Sequence, residues 1–322
     1  MMKYEINGSA LTVAVIIFIF LCFDVQLYHN IQTESRFNVT ITVKAVMLDH
    51  VNTYFLQPLS ELLVDVTQFP SLFPDITANH ISYVGVIVAM ISARLVYSDH
   101  LWIRRLAVIA FFVRQFLDDL DGLVARYRLG IDSKKQVSLP NTNGYLVDGV
   151  CDGLGFIIFW FVVFLYANKR QNLTQSNNYS LLQTTTQAIA STKTNNYYQR
   201  RLFKHYILIL IQMGLSALFW NLFLIKYHHM VDPPINPGME SNRTPLQEEI
   251  FRSPVMFIIM WLWRFVNPHA LTNYLLIAVW LNQQTQYAKR SGQYFFWVLF
   301  GIAFLSEIHC QDVQYRLELM TY

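Results

Sequence analysis

Long runs of apolar residues, each close to the length that crosses a bilayer, most constrain how this 322-residue chain can fold. Hydrophobic residues make up 54% of the sequence and charged residues only 14%, well below the roughly 25% usual in soluble domains. A membrane-spanning helix needs about 20 apolar residues. The sequence therefore predicts an all-α, polytopic membrane protein. We expect seven crossings, at residues 6–23, 81–97, 106–126, 145–167, 206–226, 254–282 and 294–306.

The charged residues give no indication of a nucleic-acid partner. The net charge is only +3, and the basic residues are scattered along the chain, whereas nucleic-acid binders concentrate them in a patch. Their distribution bears on topology instead. With a cytosolic N-terminus, the cytosolic loops hold about as many basic residues as the opposite loops in about half the length, which the positive-inside rule favours. The loop at residues 127–143 is then predicted to be lumenal.

The first apolar run differs from a cleaved signal peptide. Only Lys3 supplies positive charge before it, and no small-residue cleavage site follows Phe23. We therefore interpret residues 1–26 as an uncleaved transmembrane anchor. Residues 27–78 are predicted to form a lumenal segment. Within it, apolar residues from Tyr54 to Val64 recur at helical spacing, which indicates either an interfacial helix or a helix packed on protein.

The rest of the chain divides into a membrane core at residues 79–306 and a C-terminal tail at residues 307–322. Within the core, residues 168–205 are rich in Asn, Gln, Ser and Thr, which predicts a flexible loop. The sixth crossing contains Arg264 and the pair Asn267-Pro268, and the proline is expected to bend or interrupt that helix. Arg264 is expected either to contact a headgroup or phosphate or to form a structural bridge.

Aspartates concentrate in the third and fourth crossings, where ionised groups are costly and indicate function. Asp118 and Asp121 are three residues apart and Asp148 and Asp152 are four apart, so each pair shares a helix face. Asp119 is about 100° around the helix from Asp118 and is predicted to point elsewhere. Four carboxylates held together repel one another unless a cation neutralises them, and oxygen-only ligands suit Mg²⁺ or Mn²⁺. The sequence therefore predicts a divalent-metal site.

Two glycines accompany these aspartates. Gly122 directly follows Asp121, and Gly144 precedes Asp148 by four residues. Neither has a side chain that would keep a phosphate from the backbone. The alternative interpretations are a solvated acidic cluster and the cation path of a transporter, but neither explains the glycines or the neighbouring Arg126.

These residues together resemble the motif of the CDP-alcohol phosphotransferase family, integral membrane enzymes with a six-helix core. The segment at residues 79–85 is also similar to the start of the family's first core helix. The spacer at residues 127–143 is longer than the common family pattern. The resemblance implies a six-helix core plus one extra N-terminal transmembrane helix. The matching motif residues are Asp118, Asp121, Gly122, Ala125, Arg126, Gly144, Asp148 and Asp152.

The extra crossing would turn the active site of such a core from the cytosol to the lumen. A long spacer, an added crossing and a lumenal site resemble insect members of the family whose acceptor is ceramide. The resemblance then implies transfer of phosphoethanolamine from CDP-ethanolamine to the primary hydroxyl of ceramide, with release of CMP, in a Golgi or endoplasmic reticulum membrane. A homodimer is a further expectation. The alternatives are a diacylglycerol acceptor, giving phosphatidylethanolamine or phosphatidylcholine, and a cation transporter.

The resemblance also implies roles for the motif residues. Asp118, Asp121 and Asp148 would bind two Mn²⁺ or Mg²⁺ ions. Asp152 would be a further metal ligand or the general base that faces the acceptor hydroxyl. The residues around the CDP moiety would be Gly122, Ala125, Gly144 and Arg126, the last supporting the phosphates or bracing the aspartates.

Other polar residues in the chain are interpreted as structural. Arg114 lies four residues before Asp118 and is expected to be a snorkelling or ion-paired side chain. The histidines considered for the metal site share no helix face with the acids and are excluded from it. They are His100, His205, His228 and His229.

Overall fold

The computed structural model of the protein describes residues 2–35, 39–131, 143–179, 185–233 and 242–319. Within these ranges the chain is helical and has no β-strand, so the all-α prediction is confirmed. Most of the long spacer, residues 132–142, lies outside them. The α-helices are α1 (Met2–Thr33), α2 (Val43–Met47), α3 (Gln57–Thr67), α4 (Phe69–Leu72), α5 (Ala78–Val96), α6 (Leu101–Arg128), α7 (Asn143–Tyr179), α8 (Thr185–Val231), α9 (Pro245–Arg252), α10 (Pro254–Leu262), α11 (Pro268–Trp280) and α12 (Gln284–Leu319).

Five of these helices are long and apolar enough to cross a membrane, which agrees with a polytopic membrane protein. The other two predicted crossings correspond to α6 and to the pair α10 and α11. Helix α6 has the length but carries many charged residues, and α10 and α11 are each short. The apolar spans are Ala14–Thr33, Ala78–Val96, Leu146–Leu173, Tyr197–Val231 and Gln284–Glu318.

The predicted break in the sixth crossing is present. Helix α10 ends at Leu262, a 3₁₀ turn covers Trp263–Phe265, and α11 begins at Pro268. Proline has no N–H to donate within a helix, so it is tolerated at the first helical position. The Asn267 side chain caps α11 by accepting a hydrogen bond from the Ala270 N–H at 2.8 Å. The helical path of the sixth crossing is thus interrupted inside the helix bundle.

The prediction of a flexible loop at residues 168–205 is wrong wherever the structure describes that region. Helix α7 continues to Tyr179, and α8 already begins at Thr185. No glycine or proline occurs between residues 168 and 205. Extending an existing helix costs far less than starting one, so the two membrane helices continue through polar sequence that would not nucleate a helix by itself.

Helix α1 is longer than the predicted anchor. It runs on to Thr33, and its most apolar span starts at Ala14. Leu11, Phe18 and Val25, seven residues apart, are all exposed and form an apolar stripe on one face. Asp24, about 100° around the helix from Val25, is buried instead, which shows that a neighbouring face packs against protein.

Helix α3 follows a π-helical turn at Asn52–Leu56 and is amphipathic, as predicted. Its buried residues Gln57 and Val64 face the side that packs against α6. Leu62 and Val66 are exposed. The helix therefore packs on protein along one side, which supports that interpretation, and presents apolar side chains on the other; its position at a membrane surface stays a prediction.

Small residues allow α5 to pack closely against α6 and α7. Ala89 and Ser92 are completely buried on α5, and the Ser92 hydroxyl donates to the Ala107 carbonyl of α6 at 2.7 Å. Small side chains at helix interfaces are typical of membrane bundles, where packing and hydrogen bonds replace the hydrophobic effect. This close packing brings the acidic ends of α6 and α7 together.

Candidate active site

Three of the four predicted metal ligands lie together between α6 and α7. Asp118, Asp148 and Asp152 each place one carboxylate oxygen within 4.8 Å of the other two. Asp148 and Asp152 share a face of α7 because they are one helical turn apart. Asp118 meets them from the facing side of α6. The sequence spacing predicted that Asp148 and Asp152 share a face of α7. The packing of α6 on α7 then brings Asp118 to them.

Asp121 has a different partner. Its Oδ2 atom accepts a hydrogen bond from the Ser82 hydroxyl of α5 at 2.5 Å, and it is not among the carboxylates that converge. Asp119 is also outside the converging group, as predicted, but it does line the cavity described below. The α6 residues that line this cavity include Gln115 and Gly122, whose positions around the helix lie between those of Asp118 and Asp119.

Arg114 connects α6 to α7 at this site. Its Nη2 donates to Oδ1 of Asp152, and the same nitrogen is 4.0 Å from Oδ1 of Asp118. The guanidinium passes close to the backbone of Gly155, where a Cβ atom would lie only 3.2 Å from Arg114 Nε. The interpretation of Arg114 as an ion-paired residue is confirmed, but its closer partner is Asp152.

The other motif residues divide into two groups. Gly122 and Arg126 line the cavity, and a Cβ at Gly122 would contact Arg126 Nη1 at 3.4 Å. Ala125 and Gly144 are not part of the cavity lining that the structure describes. A Cβ at Gly144 would lie 3.9 Å from Asn79 Oδ1, so Gly144 packs beside the start of α5.

The cavity has a volume of about 610 Å³, which is in the range of small-molecule sites. It lies where two clusters of buried apolar side chains meet, one centred on α5 to α8 and one on α2, α8, α10 and α12. Its charged residues come from α2, α6 and α7, and the residues that α8 contributes are mainly apolar. The charged residues are Lys44, Arg114, Asp118, Asp119, Arg126, Asp148 and Asp152, and the large apolar ones are Leu48, Phe111, Phe156, Ile157, Leu210, Met213 and Trp220.

Two ionisable residues of the cavity were not predicted from the sequence. Lys44 comes from α2, in the segment ahead of the predicted core, and His269 comes from α11, beside the ring of Trp220. Burial lowers the pKa of the Lys44 ammonium below its ordinary value, and Arg126 acts in the same direction, against the nearby carboxylates. Neither residue belongs to a local pattern, so only the folded chain brings them to the aspartates.

Arg264 forms a structural bridge and does not line the cavity. It is completely buried, and its Nη1 is 2.6 Å from Asp24 Oδ1 of α1. Its remaining nitrogens donate to the backbone of α2. Of the two sequence interpretations, the structure supports the bridge.

The three converging carboxylates fit a hard divalent cation. All the ligand atoms are oxygens, which Mg²⁺ and Mn²⁺ prefer. Oδ1 of Asp148 is buried and has no hydrogen-bond partner within the described part of the chain, although a buried carboxylate oxygen normally has one. Asp118, Asp148 and Asp152 are therefore the residues that would hold a metal ion.

Fold and site together define an all-α, polytopic membrane protein with a carboxylate-lined cavity inside its helix bundle. The model of the ceramide phosphoethanolamine synthase family matches residues 23–317, and the chain belongs to this family. It is similar to the ceramide phosphoethanolamine synthase of Drosophila melanogaster, with 34% identity over 281 residues, which cover 85% of this chain and 69% of that protein. No solved structure matches it.

Proposed function

We propose that this protein transfers phosphoethanolamine from CDP-ethanolamine to the primary hydroxyl of ceramide, releasing CMP. The observation that carries the proposal is a single cavity with converging carboxylates at one part of its wall and large apolar side chains at another, in a chain of the ceramide phosphoethanolamine synthase family. A charged donor and a lipid acceptor need these two environments side by side. The resemblance of the motif to CDP-alcohol phosphotransferases supports the nucleotide donor.

Asp118, Asp148 and Asp152 are proposed to hold the divalent ions, with Asp121 as a further predicted ligand. When bound, such ions would neutralise the charge of the diphosphate and stabilise the attacking and leaving oxygens of an in-line displacement. Phosphoryl transfer depends mainly on alignment and charge stabilisation. The chain's part is therefore to fix its carboxylates, which the close packing of α5, α6 and α7 achieves.

Asp152 is the proposed base for the acceptor hydroxyl. Its side chain is 32% exposed, compared with 14% for Asp118, so it is the more accessible of the two to a substrate. Arg114 donates to its Oδ1 and orients the carboxylate, which would accept the proton of the hydroxyl. The acceptor oxygen then forms a bond to the β-phosphorus, the bond from that phosphorus to the bridging oxygen breaks, and CMP leaves.

The apolar part of the wall is proposed to hold the acceptor's hydrocarbon near its hydroxyl. Phe111 and Phe156 lie on the same helices as the aspartates, and Leu210, Met213 and Trp220 lie on α8. Gly214, on α8 between them, leaves open space beside its backbone. A lipid held here would present its headgroup hydroxyl toward Asp152.

The proposed site faces the lumen of the Golgi or endoplasmic reticulum, as the distribution of basic residues favours. A homodimer is also proposed. Protease protection of the residue 127–143 loop in sealed microsomes would test the orientation, since a lumenal loop is protected until the membrane is opened.

The activity is tested with purified protein, labelled CDP-ethanolamine and Mn²⁺, offering ceramide and diacylglycerol in parallel. We expect labelled ceramide phosphoethanolamine, and none from Asp152→Ala. Asp312→Asn is the matched control, because Asp312 is an exposed aspartate paired within α12. Label only in phosphatidylethanolamine would overturn the acceptor, and no CMP release with any CDP-alcohol would overturn the enzyme in favour of a cation transporter.

A further inference from the structure

Lys44 is a cation that no carboxylate in the described chain pairs directly, although Asp118, Asp119 and Asp148 act on it. It lines the cavity with Asp118, Asp119 and Asp148, yet its ammonium makes neither a hydrogen bond nor a salt bridge within the ranges that the structure describes. Arg114, by contrast, is engaged by Asp152. Withdrawing an ammonium from water is costly unless an anion is supplied.

The backbone that carries Lys44 is fixed on both sides. At the start of α2, the Val43 N–H donates to the Asp232 carboxylate at 3.0 Å. After Lys44, Arg264 donates to the Ala45 carbonyl at 2.9 Å and to the Val46 carbonyl at 2.8 Å. The Asn267 amide donates to the Met47 carbonyl at 3.1 Å. A helix of five residues would be unstable alone, so these bonds hold Lys44 at the cavity.

Arg126 repeats the arrangement from the other side of the site. It also lines the cavity, and its Nε is buried without a hydrogen-bond partner in the described chain. Of the charged groups near Lys44, Arg126 has the largest electrostatic effect on its ammonium. Two cations at one cavity, close enough to repel each other, are stabilised by an anion that reaches both.

Asp118 and Asp148 would not supply that anion once they hold metal, and Asp119, the carboxylate that acts on both cations, brings one charge against two. A divalent ion neutralises the aspartates that bind it, and the remaining negative charge must come from the ligand. A nucleotide diphosphate ester brings two charged phosphates with several acceptor oxygens, and Lys is a common phosphate-binding residue. The cavity thus combines metal ligands for one side of the diphosphate with two cations, Lys44 and Arg126, for the other.

We propose that Lys44 binds the diphosphate of the nucleotide donor, so that the segment between α1 and α5 completes the donor site. This inference rests on the proposed function. Lys44 is a binding residue in it, and the charge of its side chain is what matters. The segment at residues 27–78 is then part of the active site and not only a connection from the first helix to the core.

The test is equilibrium binding of labelled CDP-ethanolamine to the purified full chain with Mn²⁺ and no acceptor. We expect Lys44→Gln to raise the Kd about tenfold to a hundredfold, the usual range for a lost charged hydrogen bond. Lys44→Arg should recover most of the affinity. Competition by cytidine, which has no phosphate, should be unchanged. Lys226→Gln is the control, because Lys226 pairs with Glu307 outside the cavity.

An unchanged donor Kd in Lys44→Gln together with a higher Mn²⁺ requirement would overturn the proposal and make Lys44 a partner of the carboxylates. Equal losses in Lys44→Arg and Lys44→Gln, with lowered melting temperatures, would make its role structural. If the wild-type protein binds CDP-ethanolamine normally but makes no ceramide product, the proposed acceptor is wrong. The comparison of donor Kd between Lys44 variants and the wild type would still be valid. If the wild-type protein does not bind CDP-ethanolamine, both proposals fail.

Discussion

The guanidinium of Arg264, in the break between α10 and α11, lies 2.6 Å from the carboxylate of Asp24 on α1. Both side chains are buried. Asp24 also accepts hydrogen bonds from Tyr54 and Trp261, each at 2.7 Å, and its Oδ2 is 2.9 Å from His50 Nε2. A charge inside a membrane bundle is retained only with such partners. The first helix is therefore bound to the core by a specific ion pair, and the same arginine holds α2.

Asp24→Asn should destabilise the protein strongly. It leaves the buried Arg264 without its counter-charge, which costs about 3–5 kcal/mol in comparable cases. The measurement is the thermal unfolding midpoint of the purified protein in detergent. Adding Arg264→Met to Asp24→Asn should recover part of the loss, because the unpaired charge is removed.

The control is Asp312→Asn, which removes an exposed pair with Arg316 worth about 0–1 kcal/mol. A midpoint for Asp24→Asn that matches this control would show that the bridge to α1 contributes nothing to stability.

Asparagine at Asp118, Asp148 or Asp152 should each reduce CMP release by about two orders of magnitude or more, because each removes a proposed ligand or base. Chelation with EDTA should abolish the activity of the wild-type protein, and Mn²⁺ should restore it. Asp148→Asn should need more Mn²⁺ than the wild type. Unaltered unfolding midpoints would separate these effects from misfolding, and activity that survives chelation would contradict the metal site.

Ser82 offers a separate test of Asp121. Asp121→Asn keeps a side-chain oxygen that accepts from the Ser82 hydroxyl but loses the negative charge. We expect at least about a tenfold loss of activity if Asp121 is a ligand, consistent with the 10- to 100-fold effects of altering metal sites. Ser82→Ala keeps the charge and should retain more activity. If Ser82→Ala loses more activity than Asp121→Asn, the role of Asp121 is to hold α5 against α6.

Gly155→Ala should disturb the carboxylates without touching them. The new methyl group would lie 3.2 Å from Arg114 Nε and 3.4 Å from the Ala89 side chain, so Arg114 must shift away from Asp152. Overpacking of this kind costs about 1–3 kcal/mol. We expect a lower unfolding midpoint and reduced CMP release. Gly301→Ala, at a helical position with open space around it, is the control and should behave as the wild type.

Gly214→Leu should act on the lipid acceptor and not on the donor. Gly214 lines the cavity, and nothing lies within 4 Å of the position that a Cβ would take. A leucine would fill part of the apolar region, raising the KM for ceramide about tenfold while the Kd for CDP-ethanolamine stays the same. A change in donor affinity alone would place the acceptor elsewhere. Gly301→Leu is the matched control.

Local sequence determined much of this protein. Apolar length predicted the membrane helices, Pro268 predicted the break in the sixth crossing, and the spacing of Asp148 and Asp152 placed them on one face. Each of these depends on residues within a turn or two of one another. The polar composition of residues 168–205 led to a wrong prediction of a loop. Composition indicates whether a segment nucleates a helix, not whether a neighbouring membrane helix continues through it.

The tertiary structure decided which groups meet at the cavity. Helical periodicity fixes the angle between Asp118, Asp119 and Asp121, but the packing of α6 on α5 and α7 sets which of them faces the cavity and which faces Ser82. Lys44 reaches the site because Arg264 and Asn267, more than two hundred residues away in sequence, hold the backbone of α2. Such contacts form because buried charges and amides find their partners only in the assembled bundle. A local pattern of residues therefore cannot predict them.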